Sequence, residues 1–190
     1  MTKTASIYWG SKGYPNRLSQ GGTFETAVAA ASFATDSGGW ANYGIRVVIP
    51  SSAVLISGST VKVQITAGVG GGLSLDGAYV GHQATSGDVY DFDGNQAQLL
   101  FSSSSSVAIS AGTSEKSDET TFSLDSSKNL IVAFGVKNDT AVDTMIFQTG
   151  TSFSAYQKSG GNGEEGTTNV TGYTQISAIN RFSVNLIEAK

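Results

Sequence analysis

The chain contains no cysteine, only one histidine and only two prolines among its 190 residues. The absence of cysteine excludes disulfide bonds and thiolate chemistry, and a single histidine excludes a metal centre built from several imidazoles. Lys and Arg are few and scattered, and the formal net charge is −4. Because a nucleic-acid-binding surface needs a basic stripe that displaces counterions, we expect no nucleic-acid partner.

Long apolar runs are also missing. No segment approaches the roughly 18 consecutive apolar residues of a membrane span, which predicts no membrane insertion. The N-terminal stretch "MTKTASIYWGSKGYPNRL" lacks the apolar core of about 7–15 residues that a signal peptide carries. We therefore expect synthesis in a cytoplasm, without export through the general secretory route.

Charged residues account for only 14% of the chain, but nine Phe, seven Tyr and two Trp can build a core. The length suits one domain. Residues 1–22 show no clean strand alternation and end at a Gly-Gly pair that suits a flexible joint. We therefore predict an extended N-terminal arm, residues 1–22, followed by a single domain, residues 23–190.

Alternation of apolar and polar residues with period two, bounded by Gly, Ser, Asn and Asp, dominates that domain and indicates β-strands. The one helical candidate is the alanine-rich stretch "TFETAVAAASFA", residues 23–34, which would also suit an extended segment. About eight to ten short strands predict an all-β fold, an antiparallel β-sandwich of jelly-roll type. The predicted strands are 43–49, 61–67, 73–80, 97–102, 107–110, 119–124, 130–136, 144–148, 152–157 and 176–187.

Two of these strands carry specific expectations about the core. "NLIVAFGV" is almost wholly apolar, which predicts a strand at the centre of the sandwich. The last stretch, "NRFSVNLIEAK", is predicted to lie inside a sheet and to direct Phe182, Val184 and Leu186 inward.

The stretch "DVYDFDGNQAQLLF" is the candidate metal site. Asp91, Asp93 and Asn95 have the 1, 3, 5 spacing of a calcium loop. The sixth position, which should be Gly, is Gln96, and the twelfth, which should be Glu, is Ser102, so an EF-hand is excluded. A non-helical calcium site at Asp91 and Asp93 remains open. No other cofactor is indicated.

The alternative for this stretch is structural. Asp-Gly is a turn dipeptide, and aspartate side chains bind nearby backbone amides in turns. In that case Tyr90 and Phe92 would face the core while the aspartates between them stay exposed.

Catalytic patterns are weak. His82 has no G-x-S-x-G serine to activate, and the many acidic residues lie in turn-like settings that select no pair for glycoside cleavage. We therefore predict a protein that is not an enzyme. A glycan-cleaving enzyme is the least favoured alternative.

Aromatic residues in Gly/Ser-rich segments are the remaining candidates. Tyr8, Trp9, Tyr14 and Arg17 lie in the predicted arm, where rings and a cation would dock on a partner. Aromatic rings elsewhere could contact a glycan or a partner, although core packing is the competing interpretation. These are Trp40, Tyr156 and Tyr173.

The stretch from residue 73 to residue 134 contains "AYVGH", "YDFDG", "QLLF", "SDETTFSLD" and "LIVAF". It resembles β-sandwich segments of tailed-phage virion proteins and related bacterial surface proteins. The resemblance covers about a third of the chain and brings no catalytic residues with it. It implies a structural or host-contacting virion component, such as a capsid decoration, a head fibre or a tail-associated protein.

The sequence thus favours a non-enzymatic virion protein that docks on a capsid or tail and presents a sandwich at the particle surface. The expected partners are further copies of the chain, in a symmetric homo-oligomer, and other virion proteins. The alternative is a carbohydrate-binding or adhesin module for host-surface glycans. The two functions can coexist in one receptor-binding protein.

Overall fold

The computed structural model describes residues 22–139, 142–176 and 181–190. Within these ranges the chain is all-β apart from a 3₁₀ turn at Ser51–Ala53, and no helix there could cross a membrane. The strands are β1 (Glu25–Val28), β2 (Thr35–Gly38), β3 (Tyr43–Ile49), β4 (Gly58–Thr66), β5 (Leu73–His82), β6 (Ala97–Leu99), β7 (Val107–Ile109), β8 (Ser114–Lys116), β9 (Thr120–Leu124), β10 (Leu130–Val136), β11 (Thr144–Gln148), β12 (Ser154–Ser159), β13 (Thr174–Gln175), β14 (Arg181–Phe182) and β15 (Val184–Ala189).

Two antiparallel sheets form the sandwich. The five-stranded sheet has the order β1-β15-β4, and β8 and β9 pair one after the other with the second edge of β4. The seven-stranded sheet has the order β13-β12-β3-β10-β5, and β6 and β7 share the second edge of β5. A third, small sheet has the order β14-β11-β2.

This order is that of a jelly roll. If β6 with β7 and β8 with β9 each count as one strand, the roll consists of β1, β3, β4, β5, β6/β7, β8/β9, β10 and β15. Numbered one to eight, these strands lie in the orders 1-8-3-6 and 2-7-4-5, which is jelly-roll connectivity. Strands β11 to β14 are inserted before the last strand. The predicted antiparallel jelly-roll sandwich is confirmed.

The main core lies between the two large sheets. Val61, Val63 and Ile65 of β4 are fully buried there, facing Val132 and Phe134 of β10 in the same apolar cluster. Every residue of β10 is buried, because this strand lies between β3 and β5 in a sheet that is covered on both faces. The central position predicted for "NLIVAFGV" is confirmed.

Of the two alternatives for residues 23–34, the helix is wrong, and the chain is extended at Glu25–Val28. The structure has an edge strand there, β1, which pairs with β15 and buries Ala27 and Val28 in the core. Alanine has a high helix propensity, but propensity is a weak prior that tertiary pairing overrides. The predicted arm, residues 1–22, lies almost wholly outside the described residues.

The inward direction of Leu186 is also wrong. Phe182 and Val184 are fully buried as expected, but a β-bulge shifts the register between Val184 and Leu186. Ile187 then points into the core and Leu186 is only half-buried. Because side chains alternate with period two, one extra residue moves every later side chain to the other face.

Candidate functional site

The outer face of the seven-stranded sheet carries a second apolar cluster, which we call the outer cluster. Two segments contribute its aromatic rings: the first cover loop, residues 83–96, and the second cover loop, residues 160–173. The loops therefore bury a sheet face that would otherwise be open to solvent. The buried members are Val48, Tyr90, Phe92, Ile131, Ala133, Val170 and Tyr173.

Arg46 of β3 lies beneath both cover loops and is completely buried. Its guanidinium donates hydrogen bonds to the carbonyl oxygens of Tyr90 (2.8 Å), Glu164 (3.0 Å) and Thr167 (2.5 Å). It also lies over the ring of Phe92, 4.6 Å from the ring centroid. Burial lowers the pKa of Arg46 because desolvation disfavours the charged form. One side chain thus attaches both loops to the sheet.

A row of glycines allows the second cover loop to lie directly on the strands. Gly44 and Gly77 each pair with Gly135 of the central strand. A Cβ atom at Gly44 would lie 2.5 Å from the carbonyl oxygen of Gly161, and one at Gly135 would lie 2.6 Å from a carboxylate oxygen of Glu165. Glycine is therefore required here for close approach of the loop.

Ionic and amide contacts fix the same loop at its sides. The ammonium of Lys158 lies 2.6 Å from a carboxylate oxygen of Glu164, and the amide of Asn162 donates to Asp76 over 2.9 Å. The glycine-rich segment "SGGNGEEGTTN" therefore forms an attached cover.

The aspartates of "DVYDFDGN" organise the first cover loop. Asp91 is buried, which corrects the expectation that it is exposed. Its carboxylate accepts hydrogen bonds from the backbone N–H groups of Asp88 (2.9 Å) and Val170 (3.0 Å). Asp93 accepts one from the N–H of Asn95 (3.0 Å), as expected for a turn. The neighbouring Tyr and Phe rings are buried as predicted, but in the outer cluster rather than the main core.

The carboxylates of Asp91 and Asp93 have different partners, and the calcium site at this pair stays a prediction. The Asp91 carboxylate faces Val170, whereas an oxygen of Asp93 lies 4.0 Å from Nδ1 of His82. Across the residues the structure describes, no group of three or more His, Asp or Glu side chains is placed to hold a metal.

The predicted docking residues Tyr8, Trp9, Tyr14 and Arg17 lie outside the described residues, so their role stays a prediction.

The three other aromatic candidates have different surroundings. Trp40 is buried and packs edge-on against Tyr43 and Phe182, with centroid distances of 5.2 and 4.9 Å. Tyr173 is buried in the outer cluster, and burial raises its pKa to about 12. Tyr156 is half-buried. Trp40 and Tyr173 thus have packing roles, and Tyr156 is the ring that retains surface for a ligand.

A polar cleft lies at the end of the sandwich where β9 turns into β10; we call it the end cleft. Its larger part, of about 820 Å³, is lined by residues 83–86, 127–129 and 168–169 together with Phe92 and Asp93. This volume falls within the range of about 300–1,000 Å³ that is usual for small-molecule sites.

A second hollow of about 400 Å³ adjoins the first and shares Asp93 and Lys128 with it. The two hollows meet at these charges. Within the described ranges, Lys128 is the one Lys or Arg side chain that makes neither an ion pair nor a hydrogen bond. Asp125 also lines the smaller hollow, and hydrogen bonds from Ser127 lower the pKa of its carboxyl group.

His82 forms a wall of the smaller hollow. Its Nε2 accepts a hydrogen bond from the backbone N–H of Asp125 (3.1 Å), which assigns the proton of the neutral ring to Nδ1, on the side of Asp93. The ring is tilted over Phe122 at 4.9 Å. Burial lowers the pKa of His82, so the neutral form is favoured at neutral pH.

Sequence reasoning missed Arg46 and the end cleft. A signal for Arg46 exists, since a single charge within the apolar stretch "GIRVVIP" must be paired if that strand is buried. The end cleft has no such signal, because its residues come from four separate segments of the chain.

Fold and site together define an all-β jelly-roll protein with one loop-covered sheet and a polar end cleft. No protein-family model matches the chain, and a search of curated proteins finds no significant match.

Proposed function

We propose that this protein is a non-enzymatic structural component of a tailed-phage virion, which docks on the capsid or tail and presents its sandwich at the particle surface. The supporting observation is where the virion-like stretch falls in the fold. Residues 73–134 form β5 to β10, which are strands four to seven of the jelly roll. Jelly rolls recur in viral capsid domains. A fold does not by itself fix a function, so the test belongs at the level of the particle.

The first aromatic residue of the described chain, Phe24, lies at the exposed face of the five-stranded sheet. The ring of Phe24 lies between the ammonium groups of Lys62 and Lys190, 4.5 and 4.7 Å from its centroid. Both lysines pair with Glu119. Phe24 therefore lies on a solvated, charged surface to which a neighbouring protein has access.

Charged side chains of the described chain mainly stabilise the structure. Arg46 and Asp91 bind backbone groups of the cover loops, Arg181 donates to the carbonyl oxygens of Val184 and Ala29, and Lys116 pairs with Glu188.

The deciding experiment is immunogold electron microscopy of particles produced by the cell that carries the gene, using an antibody raised against residues 22–190. We expect gold at the capsid or the tail, which would also distinguish the two locations. Purified particles that carry neither label nor the protein by mass spectrometry would overturn the proposal.

The docking step is tested separately by deleting Thr2–Leu18. We expect the truncated protein to keep its β-type circular dichroism and its melting temperature but to lose oligomers in light scattering and binding to particles. Trp9→Ala should weaken assembly, since an aromatic anchor contributes about 2 kcal/mol or more, and Thr4→Ala is the matched control. A truncated protein that folds and still assembles fully would place the interface elsewhere.

A further inference from the structure

We infer that the end cleft binds a neutral, polyhydroxylated ligand, a short saccharide. This inference is independent of the virion proposal, since it rests on the geometry and chemistry of the cleft.

The cleft presents polar groups that the fold leaves uncommitted. The ammonium of Lys128 stands at the junction of the two hollows. Asn169 lines the larger hollow and Asn95 the smaller, and neither side chain hydrogen-bonds to any described residue. An amide offers two donors and an acceptor oxygen, and an ammonium offers three donors. Together they match the alternating donors and acceptors of sugar hydroxyl groups.

One wall of the cleft is preorganised by hydrogen bonds. The side-chain amide of Gln83 donates a hydrogen bond to the Val89 carbonyl oxygen (2.5 Å), and the Gln83 side-chain oxygen accepts one from the amide of Asn129 (2.6 Å). The side-chain oxygen of Asn129 in turn accepts a hydrogen bond from the backbone N–H of Ser51 (2.9 Å). These bonds connect the first cover loop to the β9–β10 turn. A rigid wall reduces the entropy lost on binding.

The charges of the cleft disfavour anionic ligands. Asp93 and Asp125 outnumber Lys128, and His82 is held neutral by burial, so the lining has no positive excess for a phosphate. The described side chains provide no metal cluster. Hydroxyl groups, by contrast, can donate to the carboxylates and accept from the ammonium at the same time.

Ring stacking contributes little here. The Phe92 ring that lines the larger hollow is 1% exposed, so it has almost no free face for a sugar. Binding must then depend on hydrogen bonds, each of which replaces bonds to water. We expect a dissociation constant on the order of 1 mM for a monosaccharide, with tighter binding of di- and trisaccharides that fill both hollows.

His82 gives a direct measurement, because it is the only histidine of the chain and forms a wall of the cleft. Its imidazole proton signals would be followed by NMR while glucose, galactose, mannose, N-acetylglucosamine and their di- and trisaccharides are added at millimolar concentrations. We expect at least one saccharide to shift the signals in a saturable way. Lys128→Ala and Asn169→Ala should each weaken its binding at least fivefold.

The matched control is Lys137→Ala, which removes an exposed lysine that pairs with Asp139 outside the cleft and should leave binding unchanged. Unchanged circular dichroism and melting temperature of the ligand-free variants would show that the fold is intact. The inference is overturned if no saccharide shifts His82, if the control weakens binding as much as Lys128→Ala, or if inorganic phosphate binds in a Lys128-dependent way. None of these outcomes bears on the virion proposal, which particle labelling decides.

Discussion

Replacing Arg46 by methionine should detach both cover loops while the main core stays folded. Methionine fills a similar volume but donates nothing, so the carbonyl oxygens of Tyr90, Glu164 and Thr167 lose their donor. Each hydrogen bond from a charged donor contributes about 1.5–3 kcal/mol. Part of that sum is offset, because the guanidinium no longer has to be desolvated. Removing one partner of a buried charged network typically costs about 3–5 kcal/mol, and we expect Arg46→Met to fall in that range.

Arg46→Lys sharpens the prediction. Its ammonium keeps the charge, but it cannot reproduce the planar fork that reaches both loops at once, so we expect it to lose about 2–4 kcal/mol. Lys137→Met is the exposed control and should change stability by less than about 0.5 kcal/mol. These losses are large against a total stability of about 5–15 kcal/mol.

Two measurements test this reasoning. Urea unfolding gives the loss of stability, and hydrogen exchange with mass spectrometry locates it. In Arg46→Met, two backbone amides should exchange faster: that of Phe92, which donates to the Thr168 carbonyl oxygen, and that of Val170, which donates to the Asp91 carboxylate. The amides of β10 should keep their protection. A loss below about 1 kcal/mol, or equal acceleration in β10 and the loops, would refute the role assigned to Arg46.

Two further predictions concern the glycine row and the histidine. Gly44→Ala places a methyl group 2.5 Å from the Gly161 carbonyl oxygen and should cost about 1–3 kcal/mol in urea unfolding. The control Gly38→Ala, whose added methyl group has its nearest neighbour 3.5 Å away, should be near neutral, and equal effects of the two substitutions would show that the second cover loop does not need the row of glycines. Burial lowers the pKa of His82 below its ordinary value of 6.5, so as pH falls through that value the unfolded chain takes up a proton that the folded protein does not. Stability should therefore fall as the pH is lowered from 7.5 to 5.5. His82→Gln, which keeps an acceptor for the Asp125 N–H, should remove that part of the pH dependence, and an unchanged pH dependence in the variant would contradict the prediction.

The strands are the part of the fold that local sequence pattern predicts well. Alternation in β4 places Val61, Val63 and Ile65 on one face, and the continuous apolar run of β10 indicates a strand covered on both sides. Such patterns are local, because a side chain's face depends only on its position along its own strand. For this reason the fold class, the centre of the sandwich and the inner position of the last strand were predictable from residues alone.

Local pattern fails where a distant partner decides the conformation. The alanine-rich segment at β1 becomes a strand because the edge of β15 is available to pair with it, and Leu186 turns away from the core because a bulge changes the register against β4. Neither the pairing partner nor the bulge is encoded in the alternation.

The sequence by itself determined an all-β sandwich with few charges, no thiols and no run of basic residues. Only the tertiary structure brought His82, Asp93, Lys128 and Asn169 to one cleft, and only it placed Arg46 beneath two loops distant in sequence. The physical reason is that hydrophobic periodicity specifies only which face of a strand is buried. The end cleft, by contrast, is lined by loops and the ends of strands, where side chains of distant segments meet through non-local pairing.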